Sequence, residues 1–598
     1  MKSEIIPYFQ KNTLSAEATI KEQPKPSNWE LLKALIPFLR PYKKQITMIV
    51  ILVPIVAALD GFQPYMLKGV IDQFINSDHS EIPYGWYLAG LVLGSFCFTV
   101  MQNFLIQAVG QEFVADIRAK LFIHIQSLSI DFFERHPVGK LLTRLTNDIE
   151  ALSEMFGSGL IGFINDSISL FGTVIFMLLL DWRLTLVQLS LIPILILCTQ
   201  VFERFYREAN TQSRNQLSQL NSLFQESIRG LLVVKLFLQE TFMSKRFDSI
   251  NQRYIKSNTS LITADSAFSA VIELMGLIGI ISVLVVVVIF PRDYSPGSIV
   301  AFVSYSQMLF TPIRSLSEKF VIFQSGFTAI ERVMNILEEK PLLLPPQDPI
   351  KVDHVSTIRF EGVGFKYDPV SPKYILSDLS FELAEGESLG IVGRTGSGKS
   401  TLIKLLCRFY DPLEGAIKLG DYDLRRFDTD ELRKHMLMVP QRSFLFSGTI
   451  RENLLLDSSL DDHSLKRLAE RTGLLEMIED FPLGLDTPVR EGGIDLSSGQ
   501  RQLISLTRAI VQAPLVLILD EATANLDPYT ESLVSRATRQ ILQCGKTVIF
   551  IAHRLNLVQN CDQIMVLHQG KIAERGNHET LLAQKKIYSH LHSLSTMI

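Results

Sequence analysis

The run Gly393-Arg394-Thr395-Gly396-Ser397-Gly398-Lys399-Ser400-Thr401 fits the pattern G-x-x-x-x-G-K-[ST]. Those residue types at that spacing grip phosphate. Glycines let successive backbone N–H groups close around a β-phosphate, and the N-terminus of a following helix adds positive potential. Lys399 is the cation that reaches the β- and γ-phosphates, and Ser400 carries the hydroxyl that ligates Mg²⁺. The context agrees with the motif: the apolar strand SLGIVG runs into it and TLIKLLCRF, at helical spacing, leaves it. Farther on, LVLILDE at 515–521 reads as a fully buried strand ending in two acids. Two carboxylates there are costly without a cation beside them. Asp520 is therefore expected on the Mg²⁺ side of the site and Glu521 beside the attacking water. The chemistry is hydrolysis of a nucleoside triphosphate, with ATP the expected substrate.

The elements that position these residues divide the chain. Its 598 residues predict several domains rather than one core. Hydrophobic residues make up 47% and the net charge is −4, a balance that argues against a nucleic-acid partner. Long uncharged stretches concentrate before about residue 330. A helix crosses a ~30 Å hydrocarbon core with about 20 residues, and segments at roughly 45–70, 86–110, 158–180, 184–205, 266–290 and 298–325 satisfy this. A transmembrane domain over 45–330 with six spans follows. The links at 181–183 and 291–297 hold one Arg each and NSDHSEIPYG holds neither Lys nor Arg, whereas Lys43, Lys44, Arg118, Lys120, Arg135, Lys140, Arg144, Arg204, Arg207, Arg214, Arg229 and Lys235 crowd the other side. The positive-inside rule then makes both chain ends and the C-terminal half cytoplasmic.

Residues 1–27 are polar and mixed in charge, with no cleavable signal pattern, and 28–44 form a basic amphipathic elbow suited to the interface. The connections 111–157 and 206–265 are long and helical in period, so the spans should continue as cytoplasmic extensions. Short turns are expected near Asp131–Gly139, around Phe132 and Phe133, and near Ser213–Phe224, around Leu217 to Leu220. Ionisable residues within spans mark candidate cargo contacts: Asp60, Asp166 and Glu273. Asn103, Gln107, Asn165, Gln200 and Gln307 add polar groups to an otherwise apolar cavity wall. Lys68 and Asp72, four apart, are placed to pair on one helix face. A Pro-rich break at 338–350, within a linker over 331–354, leads to the nucleotide-binding domain at 355–598. Cys97, Cys198, Cys407, Cys544 and Cys561 have no metal-ligand spacing and read as small hydrophobes in a reducing compartment.

One further motif narrows the family. LSSGQRQLISLTRAI at 496–510 resembles the LSGGQ signature of ATP-binding-cassette (ABC) proteins, with Ser498 at the third position in place of the usual first glycine. Tyr367 in GFKYDP resembles the aromatic that stacks on adenine, and Gln441 in VPQRSFLF the Q-loop glutamine that reaches the Mg²⁺ site. TPVREGG resembles the exporter X-loop, Asn525-Leu526-Asp527 the D-loop, and His553 in FIAHRL the switch histidine. HPVGKLLTRLTNDIE and RGLLVVKLF are similar to exporter cytoplasmic loops. The resemblance covers the whole chain. It implies a half-transporter of the type IV exporter class: a polytopic α-helical membrane domain fused to an α/β P-loop NTPase.

In that family two cassettes sandwich two nucleotides. The resemblance therefore implies that Ser497, Ser498, Gly499 and Gln500 of one subunit face ATP held by the phosphate loop of a second. The intact nucleotide set favours a homodimer; the competent half of a heterodimer, and a membrane-anchored ATPase that gates rather than transports, are the alternatives. The implied function is ATP-driven export or flipping of an amphipathic small molecule, lipid or peptide by alternating access, in contact with membrane lipids. A bacterial inner membrane is the expected location.

Overall fold

The computed structural model describes residues 27–75, 84–290, 294–340 and most of 343–596; within the last stretch 344–345, 347, 351–356, 457, 480, 521–527, 544, 552–554 and 556–557 are not described. The N-terminal tail, most of the first external link and Cys544 thus lie outside the described residues. The chain forms two compact units. One comprises the N-terminal region to Gln126 together with Val138–Glu339, and the other comprises Ser127–Pro137 and the chain from Lys340 onward.

The first unit is all helix. Ser27 caps the elbow helix Asn28–Leu39 through a capping box with Glu30. After the single turn Arg40–Tyr42 the first long helix runs Lys43–Ile75. Then come Tyr84–Ser127, Val138–Leu180, Trp182–Arg229, Glu240–Ile289 and Pro296–Leu337. Helices of 44 and 50 residues measure about 66 and 75 Å at 1.5 Å per residue, more than twice a ~30 Å hydrocarbon core. The long extensions expected from the polar periodicity are therefore present.

Among the described residues five helices are long and apolar enough to cross a membrane. The sixth expected span falls in Pro296–Leu337, whose apolar run is diluted by Ser304, Ser306, Gln307 and Thr311. That helix also continues through residues 331–337, the start of the expected linker, because nothing breaks its period before Pro341.

Close backbone approach holds the helices together. The Tyr305 hydroxyl donates to the Gly61 carbonyl at 2.7 Å, and the Gln188 amide donates to the Gly279 carbonyl at 2.8 Å. Both bonds are buried. The third long helix contains π-helical segments at Arg144–Asp148 and Met155–Ile161. At the second, Gly326 of Pro296–Leu337 sits so near Met155 that a Cβ would fall 2.4 Å from its sulfur.

Two turn expectations have different outcomes. A short helix, Ile130–Arg135, occupies the first site. The second site, Ser213–Phe224, is uninterrupted helix; the chain reverses later, at Gly230 and the short helix Leu231–Leu236. SRNQLSQLNSLF holds neither Gly nor Pro, so its polar character marks an exposed face rather than a stop.

The second unit is α/β. Its strands are β1 Thr357–Phe365, β2 Leu376–Ala384, β3 Ser388–Val392, β4 Glu414–Leu419, β5 Tyr422–Asp423, β6 Met436–Val439, β7 Gly448–Thr449, β8 Pro488–Val489, β9 Val516–Asp520, β10 Thr547–Ile551, β11 Gln563–His568 and β12 Lys571–Gly576. A six-stranded sheet has the order β12-β11-β3-β10-β9-β6, parallel except at its β12 edge. β3 and β10 are buried at every position, as expected of strands covered on both faces. Alternate residues feed two separate cores: Leu517, Leu519, Val548 and Phe550 enter one, and Val516, Ile518, Ile549 and Ile551 the other. An antiparallel sheet, β2-β1-β4-β5, covers the second core.

Candidate functional site

Parallel order puts four expected site segments at one edge of the large sheet, since ligands gather at the carboxyl ends of such strands. The phosphate loop follows β3, Gln441 follows β6, Asp520 ends β9, and His553 lies two residues beyond β10. Glu521, Asp527 and His553 themselves fall outside the described residues.

Backbone requirements explain the loop's glycines. Gly398 has φ 104° and caps the helix Lys399–Leu406, and a Cβ there would lie 2.5 Å from Leu376. At Gly393 a Cβ would meet the Leu567 carbonyl oxygen at 2.4 Å. The β11–β12 turn braces the loop, with the Gly570 amide donating to the Ser397 carbonyl at 3.1 Å. Arg394, Thr395, Gly396 and Ser400 are exposed, whereas Ser397 and Thr401 are buried.

Lys399 is buried and folds onto its own loop, its ammonium donating to the Gly393 carbonyl at 2.6 Å and the Arg394 carbonyl at 3.3 Å. Burial lowers its pKa, opposed by the nearby charge of Asp520. Burial raises that of Asp520, opposed by Lys399. Both charges are poorly solvated, and each has the other as its compensating charge. The Ser397 hydroxyl is buried with no hydrogen-bond partner among the described residues. A cramped lysine, an orphaned hydroxyl and a desolvated carboxylate form a cradle suited to an anion with an attendant cation.

Tyr367 stands at the rim, 41% exposed, so one face of its ring is open to stack on a base. Its position is fixed from behind. Phe365 and Tyr410 meet it edge-on at 5.1 and 5.2 Å, its hydroxyl lies 3.3 Å from the Thr401 hydroxyl, and the Lys404 ammonium lies 5.3 Å from its ring centroid.

The helix Ile130–Arg135 packs within this same unit. Phe132 is buried, stacked on His136 at 4.3 Å, and Ile130 packs against the second core. Glu134 accepts from Lys404 at 2.5 Å and from the Tyr410 hydroxyl at 3.0 Å. Burial works against the Lys404 charge, but Glu134 and Tyr367 outweigh it and its pKa is raised. No local pattern marks this cluster, because Glu134 lies 270 and 276 positions from Lys404 and Tyr410.

The signature segment starts the helix Ser498–Val511. Ser497 caps it: its hydroxyl accepts from the Gln500 amide at 3.1 Å, and the Gln500 side chain accepts from the Ser497 amide at 2.8 Å. Ser497 and Ser498 are exposed and Gly499 is buried. Among the described residues no hydrogen bond or ion pair joins this segment to the phosphate loop of its own chain. Arg501 and Arg508, not singled out from sequence, brace the region. Arg501 donates to the Gly493 and Leu496 carbonyls at 3.0 and 2.6 Å. Arg508 donates to the Asn453 and Phe444 carbonyls at 2.7 and 3.2 Å, tying the signature helix to the segment after Gln441. The Gly492 amide donates to the Leu445 carbonyl at 2.9 Å, which places the TPVREGG loop beside that segment.

In the first unit the candidate acids are not gathered into one site. Asp60 accepts from Ser95 and, at 3.1 Å, from Gln63. Asp166 is paired with Lys319 and accepts from Ser315. Glu273 is exposed. None of the three lines the roughly 800 Å³ cavity of that unit. The expected Lys68–Asp72 pair is absent: Asp72 accepts from the Gly297 amide at 2.9 Å and the Ser295 hydroxyl at 2.8 Å, binding the first long helix to the start of the last. Of the expected polar wall, Asn165 accepts from Gln102 at 3.2 Å, and Gln200 lines a second, smaller cavity.

Comparisons with known proteins agree with this architecture. The family profile described as ABC transporter transmembrane region matches residues 46–313, and the one described as ABC transporter matches residues 376–524. An ABC transporter ATP-binding protein of Bacillus subtilis strain 168, YknV, is 33% identical over 95% of this chain and 95% of its own length. An ATP-dependent lipid A-core flippase of Syntrophus aciditrophicus strain SB is 30% identical over 94% of each. A bacterial Atm1-family ABC exporter solved with ATP bound shares the fold, with a TM-score of 0.73 at 24% identity, covering 92% of this chain and 98% of that one. With one transmembrane region followed by one cassette, matched nearly end to end, the chain belongs to the ABC transporters as a type IV exporter half-transporter, a multi-pass inner-membrane protein that hydrolyses ATP to drive export by alternating access.

Proposed function

We propose that two copies of this chain form the working exporter and that each ATP is held between the phosphate loop of one copy and the signature segment of the other. One observation carries this reading: Ser497 and Ser498 are exposed at the start of a 14-residue helix yet make no bond to their own phosphate loop. Such a helix start offers N–H groups and positive potential to an anion from elsewhere. A second uncovered surface agrees. The reversal after Gly230 presents Leu232, Leu236, Phe237 and Leu238, each 69–80% exposed. A cassette of the second copy is the partner that would cover it.

In this reading Gly393, Arg394, Thr395, Gly396, Ser397, Gly398, Lys399 and Thr401 hold the triphosphate, Tyr367 stacks on adenine, and Asp527 borders the dimer site. Glu521 orients the attacking water, and His553 and Gln441 respond to the γ-phosphate. Ser400, Gln441 and Asp520 would hold Mg²⁺, to which the desolvated Asp520 carboxylate is suited; once bound, the ion neutralises charge on the phosphates. Tightening of ATP between the cassettes moves the helices joined to Ile130–Arg135 and to Leu231–Leu236. A preference of about 5.5 kcal/mol for the closed state is enough to shift a population from 1:99 to 99:1. The cargo is an amphipathic molecule taken from or through the membrane.

Glu521→Gln tests the reading. It should keep ATP binding, lower turnover by about a hundredfold or more, and leave cross-linkable closed dimers. Hydrolysis within tenfold of the parent, or a reconstituted protein that stays monomeric while turning over, would refute it.

A further inference from the structure

The cavity of about 800 Å³ in the helical unit is large enough for a drug-sized or single-chain lipid ligand. Its walls come from the helices Trp182–Arg229, Glu240–Ile289 and Pro296–Leu337 and from the third long helix near its first π-helical segment. Lining residues on the first of these run from Thr199 to Arg214, about 22 Å at 1.5 Å per residue. The two ends differ in chemistry. Phe202, Phe268, Phe320 and Val321 line the end toward the apolar runs, with the Phe202 and Phe268 rings 5.9 Å apart. Arg207, Arg214 and Arg332 line the end toward the cytoplasmic extensions, with Asn210 between them. The change falls where the apolar sequence LIPILILCTQVF gives way to charged residues, the level of lipid head groups.

The charges are unequal. Lining carboxylates are Asp148 and Asp265. Asp148 is already held by Arg144 at 2.7 Å and Arg332 at 3.3 Å. Arg214 is exposed and has no carboxylate partner among the described residues, so a cationic donor with a planar fork faces the cavity.

Building on the exporter reading, we propose that this cavity is where cargo is first held, and that it takes an amphiphile with an anionic head group, a phosphate or a carboxylate. The head pairs with Arg214 and Arg207, and the tail lies against Phe202, Phe268 and Phe320. Guanidinium groups at head-group level bind such anions bidentately, while the aromatic end removes the tail from water.

The test uses the full chain in phosphatidylcholine nanodiscs. Binding of a dansyl-labelled long-chain fatty acid is followed by fluorescence, with dodecyl phosphate, phosphatidylglycerol and dodecyltrimethylammonium as competitors. The anions should displace the probe and the cation should not. Displacement by phosphatidylglycerol identifies a membrane source, and displacement by dodecyl phosphate alone identifies a soluble one; both support the site. Arg214→Gln should weaken probe binding by about tenfold or more, and Arg214→Lys should restore part of it, with unchanged basal ATP hydrolysis and unfolding temperature. Equal displacement by cation and anion, or unchanged binding in Arg214→Gln, overturns the proposal. Failure of the exporter reading is separate: it shows in Glu521→Gln retaining hydrolysis, whatever the probe does.

Discussion

Glu134 joins the short helix Ile130–Arg135 to the cassette surface behind Tyr367, and its removal has a calculable cost. The carboxylate accepts from the Lys404 ammonium at 2.5 Å and from the Tyr410 hydroxyl at 3.0 Å. The two charged side chains are 43% and 27% exposed, so the ion pair is screened and contributes about 0.2–1 kcal/mol. The hydrogen bond from Tyr410 contributes about 1 kcal/mol. Glu134→Ala therefore weakens docking by about 1–2 kcal/mol, a factor of about 5–30 in the equilibrium between docked and detached helix. Buried Phe132 and half-buried Ile130 keep their packing and hold the docked state dominant. Hydrogen exchange reads this directly, because the His136 amide donates to the Phe132 carbonyl at 2.9 Å and the Phe132 amide to the Ser129 carbonyl at 3.1 Å. In the full-length protein in nanodiscs, the hydrogen-bonded amides between Ser129 and His136 should exchange about 5–30 times faster in the variant. High salt should move the parent part of the way, since the ion pair is partly exposed. Exchange within twofold of the parent would refute the reasoning and leave packing alone as the hold on this helix.

Ser497→Ala removes the cap of the signature helix, at a cost of about 1 kcal/mol; the cassette should unfold about 2–4 °C lower by calorimetry, whereas Ser498→Ala, outside the cap, should not shift it. Cys407 and Cys561 have thiols pushed up to about 12 by burial. Iodoacetamide should modify them about tenfold faster per pH unit between 7 and 10 without a plateau. Because only the unfolded state ionises above its ordinary thiol pKa, cassette stability should fall as pH rises past about 9; pH-independent labelling would contradict this. Phe237→Asp places a charge on the apolar reversal that a second copy would cover. It should lower ATP hydrolysis by about tenfold or more, with nucleotide binding measured by a fluorescent analogue unchanged.

Features carried by local chemistry were legible in the sequence. The phosphate loop is fixed by glycines that the backbone needs, at Gly393 and Gly398. The fully buried strands announce themselves as continuous apolar runs, and the capped signature helix begins at the Ser497 that its sequence marks. Reading failed where a local pattern had two solutions. The polar stretch at Ser213–Phe224 was equally consistent with a turn and with the exposed side of a helix, and helix geometry at 39 residues prevailed until Gly230. Four-residue spacing allowed Lys68 to meet Asp72, but a nearer amide at Gly297 and hydroxyl at Ser295 took the carboxylate.

The sequence by itself determined what each segment is suited to: which runs are apolar, which side carries the positive charge, and which loop has the glycines and lysine of a phosphate cradle. Those properties depend on residue types within one or two turns of chain, where spacing alone sets geometry. Only the tertiary structure decided which charges neutralise one another. Asp166 with Lys319, Asp148 with Arg332 and Glu134 with Lys404 join residues 153, 184 and 270 positions apart. Such pairs form because helices and strands pack to bury apolar area, and the packing brings together polar groups that no local pattern relates.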